Sequence, residues 1–177
     1  LGRRAVAEDS RGMADAAASA QAAIAADPEG VWPMIAMSYR RVHEGQPDEA
    51  VALAQKAVAA GGGAAATGAL AHAQEAKGDL AAAEASYRQA IAADPVAVGP
   101  IVGLATVLRK TGRAAEAEPM LKKAIDASPG AVEAYMEMAR VKMALGGSQE
   151  ALSDANLAAA MAESDSEAQE LVIEVRV

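Results

Sequence analysis

One short segment recurs along this 177-residue chain at a nearly constant interval. It reads AIAADP at residues 23–28 and again at 90–95, and AIDASP at 124–129. The first two copies start 67 residues apart (90 minus 23), which is a step of 33 plus a step of 34, and the third follows 34 residues later. Related segments occupy the positions that this step leaves open, with AVAAGG at 57–62 and AAAMAE at 158–163. A period of this length predicts an array of stacked, equivalent repeats.

Glycine marks a second position in the same step. The residues Gly45, Gly78, Gly112 and Gly146 each precede an alanine by five residues. On both sides of each glycine, one set of positions recurs at the spacing of a helix face. Each unit is therefore predicted to contain two helices joined at the glycine, which can adopt the positive φ that closes a helix. The Asp-Pro or Ser-Pro pair then ends the second helix, because the residue before proline disfavours the helical conformation.

These positions resemble the signature of the tetratricopeptide repeat family, which has a small residue in the first helix, a turn glycine, paired alanines in the second helix and a closing proline. Two units match it well, at Ala71, Gly78, Ala83, Tyr87, Ala90 and Pro95, and at Ala105, Gly112, Ala117, Leu121, Ala124 and Pro129. The resemblance covers about residues 11–163. It implies an all-α fold, a right-handed superhelical α-solenoid of antiparallel helix pairs with about five repeats. The expected units are 1–30 (partial), 31–63, 64–97, 98–131 and 132–163.

The chain departs from that signature at two kinds of position. The segment Gly61-Gly62-Gly63 stands where Asp-Pro would close a unit, and we expect a distorted helix boundary around residues 61–68. The family usually has an aromatic residue four positions before the turn glycine, and this chain has Arg41, Gln74, Leu108 and Lys142 there.

The C-terminal residues 164–177 fall outside the complete units. We expect them to form a capping helix or the start of a further repeat, with Ser166 and Gln169 as a capping box. The alternation of Ile173, Val175 and Val177 with charged residues allows a strand instead.

Composition and charge exclude several classes of function. Hydrophobic residues make up 53% of the chain, but most of them are alanine, so packing must depend on closely approaching helices. The formal net charge of −8 argues against sequence-independent binding of nucleic acid or of anionic lipid. Cysteine is absent, which excludes disulfides and thiolate metal sites. Residues 57–74 lack a charged side chain, but they hold four glycines and are mostly alanine, so we expect no membrane insertion.

The sequence carries no recognisable constellation for catalysis, cofactor or metal binding. Gly63 and Gly68 have the glycine spacing of a phosphate-binding loop, but the lysine and the hydroxyl that must follow are missing. His72 and Glu75 lie at i, i+3, and two ligands do not make a structural zinc site. No serine lies in a G-x-S-x-G elbow. We therefore expect no enzymatic activity, no cofactor and no bound metal.

What remains is a binding surface. In stacked helix pairs the first helices line the concave side, and one of their faces holds the residues thirteen, ten, six and three positions before each turn glycine. The row six positions before the glycine would form a ladder of hydrogen-bonding side chains: Tyr39, His72, Thr106 and Arg140. The predicted partner-binding residues are Trp32, Ile35, Tyr39, His72, Val102, Thr106, Arg109, Met136, Arg140 and Met143. The other interpretation is that Trp32 and Met136 only pack against neighbouring repeats.

Two functions stay open at this point. The first is a non-catalytic protein–protein interaction module that binds a peptide or helix of a partner in its concave groove. Chaperone-binding members of the family clamp a C-terminal carboxylate with lysines and asparagines; here only Arg109 and Arg140 are basic on this face, so we do not expect that clamp. The alternative is a structural or oligomerisation arm, self-associating through its terminal repeats, of a larger protein whose catalytic or membrane-anchored part lies outside this chain.

The start of the chain and its composition bear on its origin. It opens LGRRAVAEDS, without an initiator methionine or an apolar signal core, and is interpreted as an excerpt from a longer polypeptide. The abundance of alanine is typical of a genome rich in G and C. We expect a soluble bacterial protein of the cytoplasm or the periplasm.

Overall fold

The computed structural model describes residues 30–162 and 165–176 of the chain. Its described ranges contain α-helices and no strands. In chain order the helices are α1 (Val31–His43), α2 (Pro47–Ala59), α3 (Gly63–Lys77), α4 (Leu80–Ala93), α5 (Val98–Lys110), α6 (Ala114–Ala127), α7 (Val132–Ala144), α8 (Ser148–Met161) and α9 (Ser166–Arg176). The predicted partial unit before α1 lies outside the described residues, except for Gly30.

The four turn glycines close the first helix of each pair as predicted. Their φ values are +72° at Gly45, +87° at Gly78, +77° at Gly112 and +86° at Gly146. Each turn carries the same two backbone bonds, which in the first turn run from Gly45 N–H to the Val42 carbonyl and from Gln46 N–H to the Arg41 carbonyl. This is the Schellman motif, which satisfies carbonyls that the helix end would otherwise leave without partners.

Two different stop signals end the second helices. Asp94 and Ser128, which precede prolines, leave the helical conformation with φ of −140° and −137°. The glycine segment after α2 instead repeats the Schellman motif, with Gly61 at φ +86° and the Gly62 N–H bonded to the Ala57 carbonyl. Helix α3 then starts at Gly63 and continues without interruption through Gly68. The expected distortion is therefore limited to residues 61–63, where Gly61 and Gly63 have positive φ values of +86° and +57°, and residues 64–68 are helical.

Alanine forms the contact between the helices of each pair. The alanine five residues after each turn glycine is fully buried: Ala50, Ala83, Ala117 and Ala151. Larger apolar side chains are concentrated in the middle of the array, where Leu104, Leu108 and Leu121 are buried. The ring of Tyr87 is also buried there and occupies the space beside Gly103, where a Cβ atom would overlap the ring. The core therefore combines close helix approach with a few large side chains.

Polar contacts replace three of the missing aromatic residues. Within helix pairs, Arg41 pairs with Glu49 at 3.2 Å and Lys142 with Asp154 at 2.7 Å. Ser86 Oγ donates to Gln74 Oε1 at 2.7 Å. At the fourth position Leu108 is buried in the core. Each residue that stands in place of the family's aromatic residue thus contacts the second helix of its pair or the apolar core.

The curvature of the array follows from which helices touch. Consecutive first helices contact one another along α1, α3, α5, α7 and α9, whereas no two second helices approach each other within the described ranges. Helices that are close on one side and spread on the other bend the stack around the close side. The first helices therefore form the inner, concave face.

Helix α9 covers the end of the last complete pair. It buries Ala168, Leu171, Val172 and Val175 against α7 and α8. The strand alternative for this segment was therefore wrong. The expected capping box was also wrong, because Asp165, one residue earlier, accepts the N–H groups of Glu167 and Ala168 at 2.9 and 3.3 Å. Gln169 instead donates its side-chain amide to the Ala159 carbonyl of α8 at 3.2 Å.

Among the helices described here, none combines the length and the apolar character that a membrane span requires.

Candidate functional site

An apolar pocket opens on the concave face between α1, α3 and α5. It has a volume of about 290 Å³. Trp32, Ile35 and Tyr39 line it from α1, where they lie three and four residues apart and so share one helix face. On the opposite side Pro100 lines it from the first turn of α5, and Asp94 stands at the connection before that helix.

Small residues on α3 make room for this pocket. Ala64, Ala65 and Gly68 form its floor, so the side chains of the middle helix do not fill the space between α1 and α5. Gly68 is itself close to its neighbour, because a Cβ atom there would lie 3.3 Å from Cγ of Pro100. Trp32 keeps 70% of its surface exposed and Tyr39 keeps 40%. Both rings are thus available for contact, which is unusual for side chains of this size.

Tyr39 and His72 form an aromatic pair at the side of the pocket. Their ring centroids are 5.1 Å apart and the planes are inclined by 43°. Burial lowers the pKa of His72 from its ordinary value, and the nearby Glu75 carboxylate opposes that shift only in part. The Nδ1 atom of His72 is buried and has no hydrogen-bond partner within the described structure. The first two residues of the predicted ladder, Tyr39 and His72, are therefore in direct contact.

A second cluster lies beside His72 and joins α3, α4 and α5. The Tyr87 hydroxyl donates to Glu75 Oε2 at 3.0 Å, and Lys110 Nζ donates to Glu75 Oε1 at 2.8 Å. Burial, followed by the charge and hydrogen bond of Glu75, strongly raises the pKa of Tyr87. Both oxygens of this carboxylate are thus engaged within the chain.

The two arginines of the groove are held by carboxylates. Arg109 Nε and Nη2 donate to the two oxygens of Glu137 at 2.8 and 3.3 Å, and Glu137 is 2% exposed. Arg140 Nη1 lies 3.7 Å from Glu137 Oε2, and its Nη2 donates to Glu167 of α9 at 2.6 Å. The chain of charges Arg109–Glu137–Arg140–Glu167 therefore links α5, α7 and α9.

The predicted partner-binding residues divide into two groups. Trp32, Ile35, Tyr39 and His72 come together at the pocket or beside it, although Ile35 is buried as part of the α1–α3 core. The other members make contacts within the fold. The structure thus concentrates the accessible part of the predicted set at the α1–α3 end of the groove.

The remaining members of that set lie on α5 and α7. Val102 is half-buried against the core, and Thr106 donates its hydroxyl to the Val102 carbonyl of its own helix at 3.1 Å. Met136 is buried among α7, α8 and α9, and Met143 packs against the same cluster. Met136 therefore packs against neighbouring helices, as the alternative interpretation of the sequence expected. Arg109 and Arg140 are engaged as described above.

Sequence reasoning missed Asp94, Pro100 and Glu137. The repeat pattern marks Asp94 only as the end of a helix, and nothing in a linear pattern shows that α5, with Pro100 in its first turn, begins at the rim of a pocket. Glu137 lies nine residues before its turn glycine, outside the predicted face. Its partner Arg109 is 28 residues away, a separation that becomes a contact only when adjacent first helices pack side by side.

Comparison with known proteins supports the repeat assignment. Sequence models of the tetratricopeptide repeat match residues 35–98 and residues 108–172. No curated protein matches the sequence. Among solved structures, TTC0263, a thermophilic TPR protein of Thermus thermophilus, is similar with a TM-score of 0.77 at 19% identity, covering 98% of this chain and 96% of that one.

Two further structures have the same fold. A crystal structure of MamA has a TM-score of 0.62 at 23% identity, covering 81% of this chain and 85% of that one. The first TPR of RPAP3, solved with the HSP90 peptide SRMEEVD bound, has a TM-score of 0.59 at 18% identity, covering 64% of this chain and 90% of that one. At these identities the likeness extends to the fold alone. The repeat matches together span most of the described helices, and the chain belongs to the tetratricopeptide repeat family, with the α-solenoid fold that its sequence predicted.

Proposed function

We propose that this protein is a non-catalytic interaction module that binds a peptide segment of a partner along its concave groove. The observation that carries the proposal is the pocket between α1, α3 and α5, where Trp32 is 70% exposed beside an apolar cavity of about 290 Å³. Exposed aromatic side chains around a concave apolar site are the usual anchors of protein recognition.

The size of the pocket suits a side chain better than a small-molecule ligand. Its volume equals that of about ten water molecules at about 30 Å³ each, and lies at the lower limit of about 300 Å³ for sites that enclose a drug-sized ligand. One bulky apolar side chain of a partner, inserted between Trp32 and Pro100, would displace that water from apolar surface. The flanking peptide backbone would then run along the first helices.

A related fold supports this mode of binding. The RPAP3 domain, which shares the fold, is bound to a seven-residue peptide. We infer that the present chain also binds an extended segment, with its own pocket as the anchor point. The specific partner is then selected by the side chains that line this groove.

The proposal is tested by filling the pocket from within. Ala65 lines the floor of the pocket, so Ala65→Leu would occupy the space of the anchor side chain. Ala85→Leu, on the exposed side of α4, makes the same chemical change away from the groove and is the matched control. Random nine-residue peptides displayed on phage are selected against the immobilised chain and then tested on both variants.

We expect selected peptides that bind the unaltered chain and the Ala85→Leu control, and that lose binding to Ala65→Leu. Because Trp32 is the one tryptophan of the chain, its fluorescence reports pocket filling directly when the peptide itself lacks tryptophan. A selection without enriched peptides, or peptides that bind Ala65→Leu at full strength, would contradict the proposal.

A second candidate is an assembly function through the C-terminal repeats. The observation that favours it is a set of exposed apolar side chains in the last three helices and their connections: Leu145, Leu157, Met161 and Ile173. Such side chains can contribute to contact between copies. Light scattering over a range of concentrations tests this, and a mass that stays monomeric throughout would contradict it.

A further inference from the structure

Among the described residues, every lysine and arginine of the four helices α1, α3, α5 and α7 is already paired within the chain. The first helices α1, α3, α5 and α7 contain seven lysines and arginines, and each of them forms an ion pair within the chain: Arg40, Arg41, Lys77, Arg109, Lys110, Arg140 and Lys142. The nitrogen–oxygen distances of these seven pairs are 3.6 Å or shorter. In six of them the carboxylate lies in the same or the adjacent pair of helices, and the partner of Arg140 lies on α9. An acidic partner would have to displace these internal carboxylates.

Two carboxylates of the same face are unpaired among the described residues. Glu75 and Glu137 are engaged, as shown above, but Asp94 and Glu133 have no ion-pair partner there and both are exposed. Asp94 only accepts the Val96 N–H at 3.3 Å within its own turn. Along the described part of the groove from α1 to α7, the uncompensated charge is therefore negative.

These two carboxylates lie on one edge of the groove, together with the pocket. Asp94 lines the pocket just before α5 begins, and Glu133 is the second residue of α7. Trp32 is the second residue of α1, which places it in the repeat position equivalent to Glu133. Helix N-termini carry about half a positive charge each, which offsets only part of each full carboxylate charge.

We propose, building on the peptide-binding function above, that the groove selects an extended peptide with one bulky apolar side chain followed by lysine or arginine. The apolar side chain enters the pocket, and the basic side chains pair with Asp94 and then with Glu133. Adjacent helices pack about 8–10 Å apart, and an extended chain advances about 3.3 Å per residue. The two basic residues are therefore about three residues apart in the peptide.

Charge complementarity decides between basic and acidic peptides. A basic side chain gains a partner at each carboxylate without breaking a contact of the fold. An acidic side chain meets like charge at Asp94 and Glu133, and must compete with Glu137 and Glu167 for the arginines. Exposed pairs are individually weak, so the preference arises from the sum of both sites.

The test uses three synthetic nine-residue peptides that share one leucine anchor in a serine and glycine background. Beside the leucine and three residues further, they carry two lysines, two glutamines or two glutamates. Titration is followed by the fluorescence of Trp32. We expect the lysine peptide to bind about tenfold more tightly than the glutamine peptide, since two exposed pairs together contribute about one tenfold step. The glutamate peptide, which meets like charge at both sites, is expected to bind least tightly.

A charge-reversed groove provides the decisive comparison. The double variant Asp94→Lys and Glu133→Lys is expected to invert the order of the three peptides. Glu118→Lys with Asp126→Lys, on exposed positions of the second helix α6, changes the net charge equally and is expected to leave the order unchanged. Raising the salt concentration should reduce the preference in the unaltered chain.

The possible results separate this inference from the function on which it rests. Pocket-dependent binding with no charge preference, or with preference for the glutamate peptide, would overturn the inference and leave the peptide-binding function intact. If the control variant on α6 also inverts the order of the three peptides, net charge alone is responsible for the preference, and the inference is likewise overturned. If none of the peptides binds and the phage selection also fails, the peptide-binding function itself is refuted.

Discussion

Replacing Arg109 with alanine should destabilise the array more than any exposed ion pair can. Glu137 is 2% exposed, and Arg109 supplies both of its close contacts, at 2.8 and 3.3 Å. Without Arg109 the buried carboxylate keeps only Arg140, at 3.7 Å. Removing one partner of a buried pair costs about 3–5 kcal/mol, and the remaining arginine reduces this to about 3 kcal/mol. For a chain of this size the midpoint of thermal unfolding should fall by about 6–12 °C.

The measurement is urea unfolding followed by far-ultraviolet circular dichroism, with Arg40→Ala as the matched control. Arg40 forms an exposed pair with Glu44 at 3.6 Å, so its loss should cost less than about 1 kcal/mol. Replacing both Arg109 and Glu137 with methionine should recover most of the stability, because no buried charge then remains unpaired. If Arg109→Ala costs no more than the control, Glu137 is not stabilised by Arg109, and the account of this charge chain is refuted.

Three further predictions follow from the same structure. Gly103→Ala should lower the free energy of unfolding by about 1–3 kcal/mol because the new Cβ overlaps the tyrosine ring packed there, whereas Gly99→Ala, with open space around its Cβ, should cost nothing measurable in the same urea titration. Asp165→Ala should destabilise α9 by about 1 kcal/mol through loss of its cap, whereas Ser166→Ala should not. Hydrogen exchange of the α9 amides measures both effects. A larger effect of Ser166→Ala would show that Ser166 is the cap after all. Burial lowers the pKa of His72, so the folded state binds fewer protons than the unfolded one: the stability this gives is present above about pH 6.5 and is lost as the pH falls through the folded-state pKa. His72→Gln should flatten that part of the pH profile, and an unchanged profile would contradict the assignment.

The fold could be predicted from the sequence because its boundaries are encoded locally. A turn glycine permits the positive φ that closes a helix, and a residue before proline disfavours the helical conformation. Gly78 and Asp94 show both signals in the structure. The wrong prediction of the α9 cap was local as well, because Asp165, one residue before Ser166, accepts the N–H groups at the start of the helix.

The binding surface could be predicted only in part. Helical spacing identified the face that carries Trp32 and Tyr39 on α1 and, at the position equivalent to Tyr39, His72 on α3, because residues three, four and seven positions apart share a side of a helix. The same rule could not distinguish exposed from buried members. Met136 occupies a face position too, but α9 approaches it closely enough to bury it, and that approach depends on the packing of three helices.

The sign of the groove's charge shows why counting residues is not sufficient. By count, the predicted face looks neutral, because Arg109 and Arg140 are matched by two glutamates, Glu75 and Glu133. In the structure their guanidinium groups are bound to Glu137 and Glu167, residues that lie 28 and 27 positions further along the chain. An arginine paired with a carboxylate at 2.6–2.8 Å attracts an approaching peptide only weakly, because the two charges nearly cancel. The exposed carboxylate of Asp94 has no such partner among the described residues, so its negative charge still acts on the peptide. The electrostatic character of such a groove is therefore set by the charges left unpaired after the repeats have packed, and these can be identified only from the contacts between neighbouring repeats.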